Sequence, residues 1–271
     1  MKTFNLGLAA TGLCGALGLA STAMASPIDI SGWDCNGNCG TSAADGDITL
    51  SPFGNSEYGW ISTNDGNDID GLDVGDETTG STITSPEFSA DEGDELNFYF
   101  NYVSSDGGGF TDYAWAQILP DSAAPIQLFT ARTTPDGDTV PGFGLPEPDA
   151  DVTLDPEETP VIPGAPEWSP LGANSGSCWD DGCGYTDWIQ ASYLFEDTGT
   201  YSLEFGVVNW QDTAFQSGLA FDGATIAGTA IGDDPAPTPV PVPASLALMG
   251  LGLAGLTLVA GYRRRDAAVT G

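Results

Sequence analysis

All but one of the 39 acidic residues, the exception being Asp266, fall between residues 26 and 244, and that stretch of 38 carboxylates holds a single base, Arg132. No histidine occurs anywhere in the 271 residues. Acids in this excess repel one another in any compact state, and screening by salt or binding of calcium relieves the repulsion. The same imbalance removes whole classes of chemistry. A Ser-His-Asp or Cys-His nucleophile system has no general base, a zinc site lacks imidazole, and no lysine stands in the body to form a Schiff base. Nucleic acid, phosphate and anionic lipid surfaces are repelled. Carboxylate-pair chemistry of the glycosidase type survives, as does binding through oxygen ligands and aromatic rings. With this many carboxylates some pair falls at catalytic separation by chance, so the expectation is a protein that is not an enzyme. The acidity suits either salt adaptation or calcium-rich surroundings, and Ca2+ is the one cofactor the composition accommodates.

Residues 26–232 show no sustained 3.6-residue periodicity, while alternation with period 2 recurs. Along residues 96–102, Leu, Phe, Phe and Tyr share one face and Asn, Tyr and Asn the other; residues 201–207 repeat the pattern. Half-buried antiparallel strands produce such alternation. Residues 112–119 and 126–132 read as a hairpin around Pro120–Pro125, and further short strands are expected over 47–50, 59–62, 82–88, 189–194 and 218–226. The predicted fold is all-β, one antiparallel sandwich of jelly-roll type. The strands starting near Gly93 and Gly199 each run into an aspartate-bearing loop, at Asp106 and Asp212. Residues 133–170 form a long proline-rich loop, with Phe143, Leu145, Val161, Ile162 and Trp168 available to pack it against the sandwich.

Five cysteines are present. Cys14 falls in the N-terminal apolar run; Cys35, Cys39, Cys178 and Cys183 remain, an even count that reads as disulfides in an exported chain. Three connectivities are possible. Each neighbouring pair brackets its own turn residues, which favours Cys35–Cys39 and Cys178–Cys183. In the loop-entropy account such small rings contribute about 2 kcal/mol, against about 5 for a bridge from Cys39 to Cys178, so they are expected mainly to stiffen loops.

The two ends address the chain. Lys2, an uncharged apolar run over 6–20 and Ala23-Met24-Ala25 follow the order of a secretory signal peptide, with cleavage by signal peptidase before Ser26. At the other end alternating prolines over 235–243 form a semi-rigid stalk. Residues 245–262 carry no charge and would reach roughly 27 Å as a helix, enough to cross a bilayer core. Arg263, Arg264 and Arg265 follow at once and keep that side cytoplasmic. This order resembles the PEP-CTERM sorting tails, and Val240-Pro241-Val242-Pro243-Ala244 resembles their VPLPA variant. The resemblance implies an exosortase as processing partner and a producer of exopolysaccharide. The expected organisation is a signal peptide over 1–25, the sandwich over 26–232, stalk and sorting motif over 233–244, a transmembrane helix over 245–262 and a basic cytoplasmic tail over 263–271. The body also resembles a group of PEP-CTERM-anchored secreted proteins without assigned activity. Residues 33–40, 96–102, 129–135 and 217–222 carry that resemblance, and it offers no catalytic residues.

Residues 64–77 are dense in oxygen ligands and glycine, as a calcium loop would be, with Asp65, Asn67, Asp68 and Asp70 as candidate ligands. The EF-hand register fails, because Ile69 stands where a third ligand is needed. A plain solvated acidic loop is the competing reading. Asp212 and Asp222 flank the last strand, where bracing a loop by hydrogen bonds competes with metal ligation. Trp60, Tyr113, Trp115, Trp179, Trp188 and Trp210 could offer rings to sugars or simply fill the core. Three functions follow: a non-catalytic surface or matrix protein associated with exopolysaccharide or binding glycan, a carboxylate-pair glycan hydrolase, and a calcium-stabilised structural adhesin.

Overall fold

A computed structural model describes residues 28–231. The expected signal peptide, stalk, sorting motif, membrane span and arginine tail lie outside the described residues, among which no helix is long and apolar enough to cross a membrane.

The described chain forms sixteen strands. These are β1 (Asp34–Asn36), β2 (Asn38–Ser42), β3 (Tyr58–Ser62), β4 (Asn67–Asp68), β5 (Glu77–Thr84), β6 (Phe88–Ala90), β7 (Glu95–Ser104) and β8 (Tyr113–Pro120). They continue as β9 (Ile126–Arg132), β10 (Val152–Asp155), β11 (Ile162–Pro163), β12 (Gly184–Tyr185), β13 (Ile189–Leu194), β14 (Gly199–Trp210), β15 (Ser217–Ile226) and β16 (Thr229–Ala230). A short 3-10 segment, Ser169–Asn174, is the one helical element among them. One sheet runs β1-β5-β14-β8-β9, with β4 on β5 and β6 on β14; the other runs β10-β13-β7-β15-β3-β2, with β12 on β7 and β16 on β15. Every pairing is antiparallel.

The inner faces meet in a phenylalanine core. Phe98 and Phe100 of β7 face Phe129 of β9, whose ring stacks on Phe100 at 3.6 Å. Phe205 of β14 stacks on Phe221 of β15 at 4.4 Å. Each such side chain contributes roughly 1.5–3 kcal/mol by leaving water. The alternation expected over 96–102 holds in the first half of β7 and then stops, since Phe100 to Ser104 are all buried. Loops cover the outer faces too. Trp168 and Leu171 pack over Tyr58, Val103 and Ala220 on one sheet, and Leu145 packs over Tyr113, Trp115 and Val208 on the other. The proline-rich segment thus supplies an outer layer; Leu145 and Trp168 are buried, whereas Phe143 and Ile162 remain exposed.

Several sequence expectations change. The strand expected over 82–88 is broken, with β5 ending at Thr84 and β6 starting at Phe88 around Pro86, which has no N–H for a ladder, and the expected loop over 133–170 contributes β10 and β11 to the second sheet. Residues 47–50 make no strand. Asp45 bridges Ile48, Asp47 exchanges hydrogen bonds with Glu167, and Ile48 alone reaches the interior, so tertiary contacts replace a ladder. Cys35 pairs with Cys39 and Cys178 with Cys183. The first bridge does more than stiffen a turn: Cys35 lies on β1 opposite Ile83 in one sheet, and Cys39 lies on β2 opposite Ile61 in the other. It fastens the two sheets at a shared edge. Gly37 makes the crossing possible, with φ of 113°, and a Cβ there would overlap the Ser81 side chain.

Candidate functional site

The ends of β7 and β14 and the starts of β8 and β15 lie at one pole of the sandwich, as their registers require: Ser104 is opposite Ser217, and Tyr113 is opposite Val208. Three connections meet there. They are the β7–β8 loop with Asp106, the β14–β15 loop with Asp212 and Phe215, and the ring closed by Cys178 and Cys183, which carries Trp179. The Trp179 N–H donates to the Ser105 carbonyl at 3.0 Å, and Gly108 N–H donates to the Asp181 carbonyl at 2.8 Å, so the disulfide ring is seated on the β7–β8 loop. Trp179 is 54% exposed, and its ring meets Phe215 at 5.2 Å and 44°. Phe215 and Gln211 both adopt left-handed backbone, at φ of 55° and 73°, in a loop without glycine to ease it. Residues held so at a surface loop are a pointer toward function.

Asp106, Trp179, Asp212, Ala214 and Phe215 line a hollow of about 70 Å³. Asp106 is 1% exposed. Its Oδ1 accepts from Gly107 N–H at 2.7 Å, and its Oδ2 has no partner among the described residues. Burial pushes its carboxyl up to about 7; the Gly107 hydrogen bond opposes this and the Asp212 charge adds to it. Asp212 Oδ1 accepts from Ala214 N–H at 2.8 Å and holds its loop in a turn. Beneath lies Asp112, also buried, whose Oδ1 accepts from Trp210 N–H and whose Oδ2 accepts from the Ser217 hydroxyl. Burial, then the charge of Asp106, raises Asp112 well above the usual carboxylate range.

Of the sequence candidates for sugar contact, Trp179 alone is exposed. Trp115 and Tyr113 are buried under the proline-rich layer. Trp60 and Trp188 are half-buried against Trp168 and Tyr58, and Trp188 donates to the Thr49 carbonyl. Trp210 donates to the Gly75 carbonyl and covers Arg132. The acidic loop is spread out. Asn67 and Asp68 are consecutive in β4, paired with Gly80 and Thr79, so their side chains project to opposite faces. Asn67 donates to Asn36 instead, Asp65 lies at φ of 56°, and Asp70 accepts through its carbonyl from Asp73. Among the described residues no group of three or more His, Cys, Asp and Glu side chains gathers about one point, in residues 64–77 or elsewhere. Asp222 is buried and braces the 51–55 loop, accepting from Ser51, from Asn55 at 2.7 Å and from Gly223 N–H at 2.8 Å.

Residues 239–265 match the family described as "PEP-CTERM protein-sorting motif". No curated protein matches the chain. Among solved structures, one described as "CBM4 structure and function" aligns at 9% identity and a TM-score of 0.29 over 72% of this chain and 94% of that one. Another, "Structural analysis of an exo-beta-agarase", aligns at 14% identity and a TM-score of 0.28 over 77% of this chain and 24% of that one. Neither score is high enough to bear on function. The sorting motif is different in kind: it contains both the Val240–Ala244 stretch and the three arginines, and it marks an exported protein, anchored at the membrane by its C-terminus and processed by exosortase for surface display. Residues 239–265 of this chain thus carry a PEP-CTERM protein-sorting motif.

Proposed function

We propose that the sandwich is a non-catalytic, glycan-binding body displayed outside the cell, associating with exopolysaccharide through the Trp179–Phe215 platform. The observation that carries this reading is an exposed tryptophan, held rigid by a disulfide ring, beside carboxylates and an angled second ring. Sugars offer apolar faces to rings and hydroxyl edges to carboxylates, so these side chains suit a neutral glycan; the net charge of the body disfavours an anionic one. Display geometry supports it. β15 runs from Ser217 at the platform pole to Ile226 at the other, about 30 Å for ten residues. The described chain ends there, at Ile231, on the way to the sorting motif. A tethered body would present the platform away from its tether.

The test is a glycan array with the exported protein, in calcium and in EDTA. Trp179→Ala is expected to weaken binding to any retained neutral glycan by about tenfold, near 1.4 kcal/mol. Undiminished binding removes the platform. The hydrolase reading keeps one observation in its favour, a raised Asp106 carboxyl next to Asp212. Against it, a hollow of about 70 Å³ is far smaller than the roughly 300 Å³ or more of a pocket that engulfs a ligand. New reducing ends on incubation with bound glycan would establish hydrolysis instead. Processing has its own measurement. Intact mass of the surface-released protein is expected to fit a chain starting at Ser26 and lacking Arg263 to Arg265; a mass retaining the arginines rules out cleavage near Val240–Ala244.

A further inference from the structure

We propose that Asp106 and Asp212 hold a divalent cation, calcium, in the hollow under Trp179, at a site separate from the acidic loop over 64–77. The starting point is an oxygen. Asp106 Oδ2 is buried and has no hydrogen-bond partner among the described residues, while its other oxygen is already occupied by Gly107 N–H. Buried polar atoms in folded proteins are almost always satisfied, by protein, water or an ion, and an unmatched carboxylate oxygen is among the costliest to leave. Asp106 lines a hollow whose other charged lining group among the described residues is a second carboxylate, Asp212, with one oxygen engaged by Ala214 N–H.

No side chain supplies the missing positive charge. Arg132 is the sole base in the described residues, and it is buried elsewhere, donating to Thr111 and Phe143 and stacked on Trp210. The hollow, about 70 Å³, fits a metal ion together with one or two of its waters, each water filling roughly 30 Å³. All polar lining is oxygen, which selects hard cations, and calcium accepts irregular oxygen sets more readily than magnesium does. The negative field of the body raises the local cation concentration. Two carboxylates plus waters make a weak site, of the kind that works at extracellular concentrations near 0.1–1 mM. The site does not depend on glycan binding.

Terbium luminescence tests this directly, because a lanthanide in the hollow would lie against Trp179 and be excited through its ring. The exported protein, stripped with EDTA, is titrated with Tb3+ and then with Ca2+, Mg2+ or Na+ at matched ionic strength. The expected result is sensitised emission that calcium displaces at least tenfold more effectively than sodium. Asp106→Asn and Asp212→Asn should each weaken terbium binding about tenfold or more, and Trp179→Phe should keep binding while losing most of the sensitisation. Asp212 is at the surface and Asn is an isostere of Asp106, so both variants are expected to fold, which circular dichroism checks. Emission unchanged in Asp106→Asn and Asp212→Asn overturns the site, as does loss of emission in Asp68→Ala or Asp70→Ala with those two unaffected. Equal displacement by calcium and sodium also overturns it and leaves only screening. Glycan binding that survives EDTA but not Trp179→Ala would leave the proposed function intact whatever the fate of the metal.

Discussion

Replacing Asp112 with asparagine raises the thermal stability of the protein at pH 8 and leaves it nearly unchanged at pH 4. Asp112 is buried between the two sheets, and burial lifts its carboxyl well above the ordinary range, with Asp106 and Asp212 adding repulsion and hydrogen bonds from Ser217 and Trp210 N–H opposing it. The groups that face it are few. Arg132 on β9 is the one positive charge, and the Tyr102 hydroxyl donates to the Asp112 carbonyl, not to its carboxyl. A carboxyl whose folded pKa exceeds its unfolded value binds its proton more tightly in the native state. The stability it lends is fully present below the unfolded value, near 4, and is lost as pH rises through the folded value. Wild-type stability therefore falls from pH 4 upward. Asparagine keeps an acceptor for Trp210 N–H and offers Ser217 an amide, with no charge to bury. Relief of an uncompensated buried charge amounts to about 1–4 kcal/mol, and at this chain length each kcal/mol moves the Tm by roughly 2–4 °C. A gain of about 5 °C at pH 8, in EDTA, with a flatter pH profile, is the expected outcome. Parallel profiles for the two proteins would show that Asp112 binds its proton no more tightly in the native state than in the unfolded one, and would overturn the prediction.

The strands were most legible where only one face of a sheet is covered by the opposite sheet and the other stays open to solvent. The first half of β7 and the start of β14 show the alternation in their residues, Leu96-Asn97-Phe98 and Tyr201-Ser202-Leu203, and the structure buries the alternate positions. β15 is buried at all ten positions; Trp168 and Leu171 lie over its Gly218–Ala220 part and the 51–55 loop over Asp222 and Gly223, so no period of two marks it beyond a run of small and apolar residues. The same cover explains the tryptophans. Nothing in Tyr113-Ala114-Trp115 tells that Leu145 returns to sit on those rings, whereas the ring of Cys178 and Cys183 around a turn does hint that Trp179 is held outward. The hollow was half legible. Asp106 and Asp212 stand out as aspartates in loops that follow long strands, but Phe215 reaches Trp179 only through a left-handed bend that no glycine announces. Local composition pointed to residues 64–77 for calcium. Pairing of Asn67 and Asp68 with β5 turns successive side chains apart, and a density of acids along the chain is not a density in space.

Arg132→Ala is expected to cost about 3–4 kcal/mol, lowering the Tm by roughly 10 °C, and to open the proline-rich loop to proteolysis. The last residue of β9, Arg132 is buried, and burial lowers its pKa. Its Nε donates to Thr111 Oγ1 at 2.9 Å and to the Thr111 carbonyl at 3.1 Å, and Nη1 donates to the Phe143 carbonyl at 3.4 Å. Around the guanidinium stand three rings, Trp210 at 4.7 Å, Phe143 at 5.0 Å and Tyr113 at 5.8 Å. A desolvated cation–π contact is worth about 2 kcal/mol, and truncation also strands the Thr111 acceptors and leaves a void. Phe143 belongs to the proline-rich segment, so the arginine ties that segment to the sandwich at the point where it leaves β9; beyond it, Gly142 N–H donates to the Thr130 carbonyl and Leu145 is buried. Lysine keeps the charge but not the flat face or the fork, and should recover less than half of the loss. Salt separates this account from simple charge balance in a body with 38 acids between residues 26 and 244. If Arg132 acted mainly by offsetting the surrounding negative field, the difference between wild type and Arg132→Ala would shrink toward zero in 1 M NaCl, where the Debye length is about 3 Å. Contacts to rings and carbonyls inside the protein are not screened, so the difference should persist in high salt, with trypsin-independent proteases such as thermolysin cutting within residues 133–151 of the variant first.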